Sequence, residues 1–556
     1  MVRITEETIQ SFEKEHIETV RKAAPECTLF LKKDGKLPLS APCRVAIYGS
    51  GVRKTIKGGT GSGDVNVRHF VTIEEGLEKA GFEITSKKWL DDYDSLLVGK
   101  RAEFIEQVKQ EAKELGMNPV MYGMGKAMPE PEYEFALDAD GEMAVYVLAR
   151  ISGEGADRSK AAGDISLSQT EIRDILALNA KYEKFVLVLN VGGMVDLEPV
   201  KNVKNILLLG QLGTPTGDVL ADLLLGKSYP SGKLAMTWAP IEKYASTQGF
   251  GDMDDTPYTE GIYVGYRYFD TVQEKPDFPF GYGLCYTEFE MAAKETAADA
   301  EKVTVMVEVR NTGTFAGKEV VQVYYCAPSG KLDKPYQELA AFRKTKELQP
   351  GESGEVTLSF STADMASYDT ERASYILEAG EYMIRVGNSS ADTVPCCKVA
   401  LEETAVVKKV KNICPGCDRK DFVPKTGADV AFGTAATDIP VYQVKAKDLP
   451  QEIVVYDEMP QELTGSVCTW DDVKNGQKTI DEFVGSLDEK QLAYLSIGLF
   501  EDNAGMGSIV GAASQSVAGA AGETSQRLKD LGVPTLVMAD GPAGLRLCTQ
   551  YKVVDG

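Results

Sequence analysis

Hydrophobic residues between position 40 and about position 285 occur in short runs that alternate with stretches of helical periodicity. Four runs are rich in β-branched and aliphatic residues without polar alternation, as in strands buried on both faces of a parallel sheet: RVAIYGS (44–50), AVYVLAR (144–150), FVLVLN (185–190) and NILLLG (205–210). Amphipathic helices are predicted over 166–183 and within 214–234, where Gly226 ends the helix. The pattern predicts an open α/β sandwich domain over residues 1–290.

The pattern changes to an alternation of period two between about residue 295 and residue 400. Turn-forming clusters separate these strands, which predicts a β-sandwich of immunoglobulin-like size over residues 291–400. Residues 401–478 lose clear periodicity, and we interpret them as a connecting segment that wraps other domains.

Helical periodicity returns at residue 479. Ser486 stands three residues before Glu489, the spacing of a capping box. A stretch rich in glycine and alanine, a short helix over 523–531 and an apolar strand from Val533 to Met538 follow. Residues 479–556 are therefore predicted to open a further domain.

Composition narrows the classes of function. A chain of 556 residues suggests three or four domains, and 84 acidic against 60 basic residues give a formal charge of −24. That charge argues against nucleic acid and anionic membranes as partners. The first twenty residues contain no apolar core of a signal peptide, and no run of about 18 apolar residues occurs, so we expect a cytoplasmic protein.

The side chains available for catalysis are limited. Only two histidines, His16 and His69, are present, which disfavours a Ser-His-Asp triad or a histidine-rich metal site. Ten scattered cysteines are expected to be free thiols, and the pattern favours an incidental linker pair for Cys414 and Cys417 over a metal or redox site. We therefore expect no cofactor and no metal, and chemistry based on carboxylates.

The best candidate for such chemistry is Glu154 in the stretch ARISGEGADR (149–158). Open α/β sheets bind ligands at the carboxyl ends of their strands, and this residue follows a predicted buried strand. Glycines on both sides would let the carboxyl group move, as a general acid for glycoside cleavage requires. The alternative is a solvated turn residue, and the local pattern alone favours that alternative.

The second candidate is the glycine-rich stretch IKGGTGSGDVNVRHF (56–70). It is not a dinucleotide fingerprint, because its glycines neither follow the strand directly nor open a helix. The stretch either brings Ser62 close to a polar ligand or forms a plain flexible loop; its composition leaves both open.

Together these stretches resemble glycoside hydrolase family 3, of the β-glucosidase type. The resemblance covers nearly the whole chain outside 401–478 and rests on several motifs, each in a consistent context. Those motifs are ECTLFLKKDGKLPL (26–39), GGTGSGD, ISGEGADR, YPSGKL (229–234), YVGYRYFD with FPFGYGLCYTEF, VRNTGTFAGKEVVQVYY, GEYMIRVGNSS and GETSQRLKDLGVPTLVMADGPAGLRL. Cys27 and Lys33 stand where the family usually has Gly and Asn.

The resemblance implies an α/β sandwich domain, a fibronectin type III-like domain and the beginning of an incomplete TIM-like barrel, in an inverted order. It implies retaining hydrolysis of terminal β-D-glucosyl residues of a β-glucoside or oligosaccharide. Glu154 matches the family's acid/base, which reverses the interpretation from the local pattern. Ser62 matches a serine near the bound sugar, and Asp540 and Arg546 match a pair that binds sugar hydroxyls.

One departure from the family concerns the nucleophile. The family's Asp lies in a Ser-Asp-Trp-like stretch later in the barrel, and no such stretch follows Asp540; TWDD (469–472) has its Trp on the wrong side. We therefore expect the front part of a β-glucosidase that is inactive alone. A non-catalytic carbohydrate-binding or scaffold protein, or a β-xylosidase or N-acetylglucosaminidase of the family, is the alternative. The sequence leaves homo-oligomer formation open.

Overall fold

A computed structural model describes residues 9–60, 63, 67–123, 126, 128–152, 158–244, 258–413, 438–455, 468–497, 517–518, 520, 522–539, 541 and 547. The described helices of the first domain are α1 (Ser11–Ala23), α2 (Ile73–Lys79), α3 (Lys87–Glu114), α4 (Pro119–Gly123), α5 (Gln169–Lys181), α6 (Thr216–Leu224) and α7 (Tyr266–Val272). Its described strands are β1 (Leu29–Lys32), β2 (Arg44–Tyr48), β3 (Glu83–Ile84), β4 (Met143–Arg150), β5 (Phe185–Val191) and β6 (Ile206–Leu208).

These strands form one sheet in the order β1-β6-β5-β4-β2-β3, parallel except for β1 at its edge. The uninterrupted apolar runs correctly predicted strands buried on both faces, and every residue of β5 is buried. The predicted helix over 166–183 is α5, and Ser168 and Glu171 at its start form a reciprocal capping box. The sequence prediction of an α/β sandwich domain is confirmed.

Helices cover both faces of the sheet. Helices α2 and α6 pack closely, since a Cβ on Gly217 would lie 1.9 Å from the carbonyl oxygen of Thr72. Helices α3 and α5 are joined through Tyr133, whose ring lies 5.6 Å from that of Tyr93 and whose amide donates to Thr170 Oγ1 at 3.3 Å.

The second domain is a β-sandwich built on two sheets, which are antiparallel apart from one edge strand. Its described strands are β7 (Phe289–Ala298), β8 (Lys302–Asn311), β9 (Val320–Cys326), β10 (Glu338–Lys344), β11 (Ser353–Ser361), β12 (Ser367–Asp369), β13 (Ser374–Leu377), β14 (Gly380–Ser389), β15 (Asp392–Leu401), β16 (Ala405–Lys409), β17 (Val441–Val444) and β18 (Glu452–Ile453). One sheet runs β10-β9-β14-β15-β17, the facing sheet runs β11-β8-β7, and β12-β13-β16-β18 form a smaller third sheet.

The segment interpreted from sequence as a connector contributes strands. Strand β17 pairs in parallel with β15, and β18 pairs in parallel with β16. Strand β16 lies in this segment as well, and the three strands carry little periodicity because each is only two to five residues long.

The two domains share a wide interface centred on β9, which is buried along its whole length. The side chain of Gln322 donates to the carbonyl oxygens of Gly281 and Asn388, at 3.1 and 2.5 Å. Tyr324 packs edge-on against Tyr266 of α7, with their ring centroids 6.0 Å apart. One face of β9 therefore belongs to the β-sandwich core and the other to the α/β domain.

The last described part of the chain contains α8 (Trp470–Lys474), α9 (Ile480–Gly485), α10 (Glu489–Ser496), β19 (Gly522–Glu523) and β20 (Val537–Met538). The predicted capping box at Ser486 is wrong. Ser486 ends α9, because its amide donates to the carbonyl oxygens of Glu482 and Phe483, and the box that opens α10 joins Asp488 and Gln491.

The predicted apolar strand is also shorter than expected. Val537 and Met538 pair with Glu523 and Gly522 in an antiparallel ladder, and the predicted helix over 523–531 is a 3-10 helix from Gln526 to Leu531. Leu536 is 64% exposed. No closed barrel occurs among the described residues.

No helix in the described ranges is both long and apolar enough to cross a bilayer. Seven of the described cysteines are free thiols, of which five are buried, and Cys414 and Cys417 lie outside the described residues.

The contact between α2 and α6 makes a prediction about glycine. Gly217→Ala should lower the free energy of unfolding by about 1–3 kcal/mol, because the added methyl group meets the Thr72 carbonyl. Gly99→Ala in α3 is the matched control: its methyl group meets nothing within 4 Å, so the variant should be more stable by about 0.5–1 kcal/mol. Urea unfolding followed by circular dichroism measures both changes, and equal effects would contradict the tight helix contact.

Candidate active site

The topology of the sheet defines one crevice. The chain passes from β2 to β3 on one side and then returns across β2 to β4 on the other side, so the strand order reverses between β2 and β4. Ligands of open α/β sheets bind at such a reversal, beyond the carboxyl ends of the strands. Both glycine-rich stretches singled out in the sequence follow these two strands, whereas Glu154, Ser62, Asp540 and Arg546 lie outside the described residues.

The floor of the crevice is a close contact between the ends of the two strands. Gly49 follows β2 with φ +100°, and a Cβ there would lie 2.4 Å from the carbonyl oxygen of Val147 in β4. Ser50 Oγ accepts a hydrogen bond from the amide of Ala149 at 3.2 Å. Glycine is required at position 49 because a side chain would separate the strands at this point.

Asn190 holds the start of the glycine-rich loop that contains Ser62. This fully buried residue of β5 accepts a hydrogen bond from the amide of Ile56 at 2.6 Å. Its amide group donates to the carbonyl oxygens of Ile56 and Gly210, at 2.9 and 2.7 Å. Our sequence reasoning missed this residue, although a single polar residue at the end of an apolar run was a usable signal.

Arg150 is the last residue of β4 and is only 5% exposed. Its Nη2 donates to both carboxylate oxygens of Glu171, at 2.9 and 2.7 Å, and its Nε donates to the carbonyl oxygen of Asp164 at 2.9 Å. Burial lowers the pKa of Arg150, but the charge and hydrogen bonds of Glu171 more than offset this, so the guanidinium stays charged. The buried ion pair thus fixes the point where the chain enters the Glu154 stretch.

A second arginine holds the point where the chain leaves that stretch. Arg158 Nε forms an ion pair with Asp164 Oδ1, and its Nη2 donates to the carbonyl oxygen of Met194 at 3.2 Å. The amide of Ser159 donates to Asp164 Oδ2 at 2.5 Å. Residues on both sides of 153–157 are therefore attached to Asp164, and we call Arg150, Arg158 and Asp164 the loop anchor.

A titratable carboxyl group lies next to the loop anchor. The hydroxyl group of Tyr93 donates to Glu130 Oε1 at 2.5 Å. Burial, reinforced by the charge of Glu171, raises the pKa of Glu130 to about 7. Glu130 therefore carries a proton in the folded protein at pH values where an exposed glutamate would be ionised.

The loop anchor holds the described residues on both sides of 153–157. Arg150 precedes that segment and Arg158 follows it, and each contacts Asp164. No group of three or more His, Cys, Asp or Glu side chains that could hold a metal ion occurs among the described residues. What the described residues supply is positioning by hydrogen bonds and ion pairs.

Comparisons with known proteins agree with this architecture. Residues 28–286 match the model of the glycosyl hydrolase family 3 C-terminal domain, and residues 319–390 match that of a fibronectin type III-like domain. β-Glucosidase A of Butyrivibrio fibrisolvens is 33% identical, over 97% of this chain and 70% of its own length.

Two solved structures are similar as well. β-Glucosidase 3B from Thermotoga neapolitana, in complex with α-D-glucose, is 35% identical with a TM-score of 0.62, over 71% of this chain and 55% of its own. A β-glucosidase from Paenibacillus barengoltzii is 29% identical with a TM-score of 0.71, over 96% of this chain and 58% of its own. The chain thus spans little more than half the length of either solved protein.

Breaking the buried ion pair should be costly. Glu171→Gln leaves the Arg150 guanidinium without its counter-charge, and we expect the free energy of unfolding to fall by about 3–5 kcal/mol. Asp140→Asn is the control, because its pair with Arg44 at 2.9 Å is largely exposed and should contribute less than about 1 kcal/mol. Urea unfolding of both variants measures the difference. Similar small losses of unfolding free energy would show that the Arg150–Glu171 pair stabilises the fold no more than an exposed pair does.

Glu130 predicts a pH dependence of stability. An unfolded glutamate releases its proton near its ordinary pKa of 4.5, whereas folded Glu130 keeps it up to about pH 7. The folded chain binds the extra proton in this window, so the stabilisation is complete below pH 4.5 and is lost as the pH rises to about 7. Relative to Glu130→Gln, the unmodified chain should lose about 2–3 kcal/mol of unfolding free energy across the window.

Denaturant unfolding at several pH values measures this slope. Glu83→Gln replaces a solvent-exposed glutamate and should keep the slope of the unmodified chain. Parallel slopes in the unmodified chain and Glu130→Gln would contradict the assignment.

Proposed function

Because the chain belongs to glycoside hydrolase family 3, we propose that it carries part of a retaining site for the hydrolysis of terminal, non-reducing β-D-glucosyl residues. Glu154 is the acid/base of this site. The observation that carries the proposal is the loop anchor, which ties both arms of the Glu154 stretch to Asp164 beside the strand reversal. A β-glucoside or an oligosaccharide with a β-D-glucosyl end is the substrate.

The proposed reaction has two steps. A carboxylate attacks the anomeric carbon while Glu154 gives its proton to the glycosidic oxygen, so that the bond to the leaving group breaks. Glu154, now ionised, then takes a proton from water, which attacks the same carbon and releases the sugar. Ser62, Asp540 and Arg546 hold the sugar hydroxyls, with the charged pair accepting and donating hydrogen bonds.

The loop anchor supports this role through geometry. A retaining acid/base has to lie about 5–5.5 Å from the nucleophile, so a segment free to swing widely would be unproductive. Arg150 and Arg158 hold the two ends of the segment, and Gly153 and Gly155 let the carboxyl group adjust between the two steps.

We further propose that the 556-residue chain does not hydrolyse glycosides alone, because no nucleophile stretch like that of the family follows Asp540. The contacts of Asp472, in the stretch TWDD, agree with this. Its carboxylate accepts hydrogen bonds from the amide and the hydroxyl of Thr469, at 2.8 and 2.7 Å, and these bonds lower its pKa. A carboxylate engaged in capping α8 is poorly placed to attack a sugar.

An assay of the chain with 4-nitrophenyl β-D-glucoside tests both parts of the proposal. We expect no release of nitrophenol above the buffer rate. Activity that disappears in Glu154→Gln would overturn the inactivity of the chain but support the acid/base. Activity that survives Glu154→Gln would overturn both. Glu83→Gln is the control for the substitution itself, because Glu83 lies exposed on β3, at the opposite end of its strand from the crevice.

A further inference from the structure

A cleft of about 550 Å³ lies where the 235–237 segment, the start of α7 and the start of β10 meet. Contacts through Tyr244 and Met194 connect it to the loop anchor. The hydroxyl group of Tyr244 donates to the carbonyl oxygen of Thr237 and lies 3.5 Å from Met194 Sδ. Met194 in turn accepts a hydrogen bond from Arg158 of the loop anchor.

Aromatic rings make up much of the cleft wall: Tyr244, Tyr263, Tyr266, Tyr268 and Phe280. Contacts within the chain fix two of these rings before any ligand arrives. Tyr266 and Phe280 are stacked with their centroids 4.7 Å apart, and the hydroxyl group of Tyr266 accepts a hydrogen bond from the amide of Leu339 at 2.8 Å. Rings held in this way can bind a flat apolar surface with little loss of side-chain entropy.

One polar group in the wall has no hydrogen-bond partner among the residues that the structure describes. Thr237 is 2% exposed, and none of those residues exchanges a hydrogen bond with its hydroxyl group. An unsatisfied buried hydroxyl costs about 1–3 kcal/mol, and a ligand hydroxyl group in the cleft would remove that cost. The wall therefore combines apolar rings with a hydroxyl partner, as in sites that recognise neutral polar molecules.

The rim of the cleft and the charges around it restrict the class of ligand further. Met236 and Val264 line the cleft and are 45% and 52% exposed, which leaves apolar surface at its mouth. The cation in the wall, Arg267, is already paired with Glu338 at 2.8 Å. A wall without a spare cation, in a chain of net charge −24, disfavours anions.

We propose that this cleft is a second carbohydrate site, separate from the Glu154 site, that binds a neutral, linear β-linked glucan chain. The rings contact the faces of the sugars, and the Thr237 hydroxyl exchanges a hydrogen bond with a sugar hydroxyl. The choice of a β-linked glucan rests on the proposed function, whereas the cleft and its chemistry do not. The site keeps a longer oligosaccharide close to the crevice whether or not the chain cleaves it.

Calorimetric titration of the full chain with cellopentaose tests this site, in a Glu154→Gln background that prevents turnover. Val264→Asp places a carboxylate at the mouth of the cleft, and Thr237→Val removes the hydroxyl group while keeping the shape. Each should weaken cellopentaose binding about tenfold or more. Val98→Asp is the matched control, because Val98 is 72% exposed on α3 and lies outside the cleft; its affinity should be unchanged.

A further substitution separates this site from the proposed function. Asp540→Asn should leave cellopentaose binding in the cleft intact. Loss of binding in Asp540→Asn together with full binding in Val264→Asp would place the glucan at the Glu154 site, which overturns the cleft but supports the proposed function. Absence of cellopentaose binding, or equal affinities in Val264→Asp, Thr237→Val and Val98→Asp, would overturn the cleft as well. If the chain binds 4-nitrophenol but not cellopentaose, and Val264→Asp and Thr237→Val weaken that binding, the cleft is a site for aromatic molecules and the assignment of a saccharide ligand is wrong.

Discussion

A parallel strand that is buried on both faces can accommodate a charged side chain only at its end. The α/β domain is organised around this constraint. From Met143 to Leu148, β4 is apolar apart from the hydroxyl of Tyr146 and almost fully buried; its charge, Arg150, comes at the very end. A buried guanidinium needs a counter-charge and several acceptors, which Glu171, Ala149 and Asp164 supply. The same contacts connect the end of β4 to Asp164, which also binds Arg158. The end of the strand and the residue that follows segment 153–157 are therefore held by one network of contacts.

The second domain is coupled to the first through the same kind of double burial. Strand β9 gives Val321 and Val323 to the core of the β-sandwich, whereas Gln322 and Tyr324 face the α/β domain. A partly buried carboxyl group, Asp270, accepts a hydrogen bond from Gln337 at 2.8 Å across this interface, and desolvation raises its pKa to about 6. The aromatic cleft lies along this interface and draws its walls from both domains. Its shape thus depends on the interface as much as on either domain alone.

How much of this structure the sequence alone predicts depends on how far apart in the sequence the interacting residues lie. Strands β4 and β5 were predicted to within one residue, because an apolar run needs only local information to be recognised. The role of Asn190 was missed, since it depends on a contact with Ile56, 134 positions away in the sequence. Ser486 was wrongly predicted to be the N-cap of α10, because Asp488, two residues later, accepts the same kind of hydrogen bond and takes that position in the structure. Glu154, Ser62, Asp540 and Arg546 stay predictions drawn from motifs.

The double burial of β9 also bears on how such proteins are recombined. Thr287 and Asn311, joined by a hydrogen bond at 2.6 Å, and the Gln322 contacts with Gly281 cross the boundary that an engineer would choose for exchanging modules. A crossover between these positions would join an unmatched pair of surfaces and leave amide groups and tyrosine rings facing the wrong neighbours. The β-sandwich and the α/β domain therefore have to be exchanged together, because neither keeps its buried contacts without the other. A chimera is expected to retain the fold only when residues 281 and 322 come from the same parent.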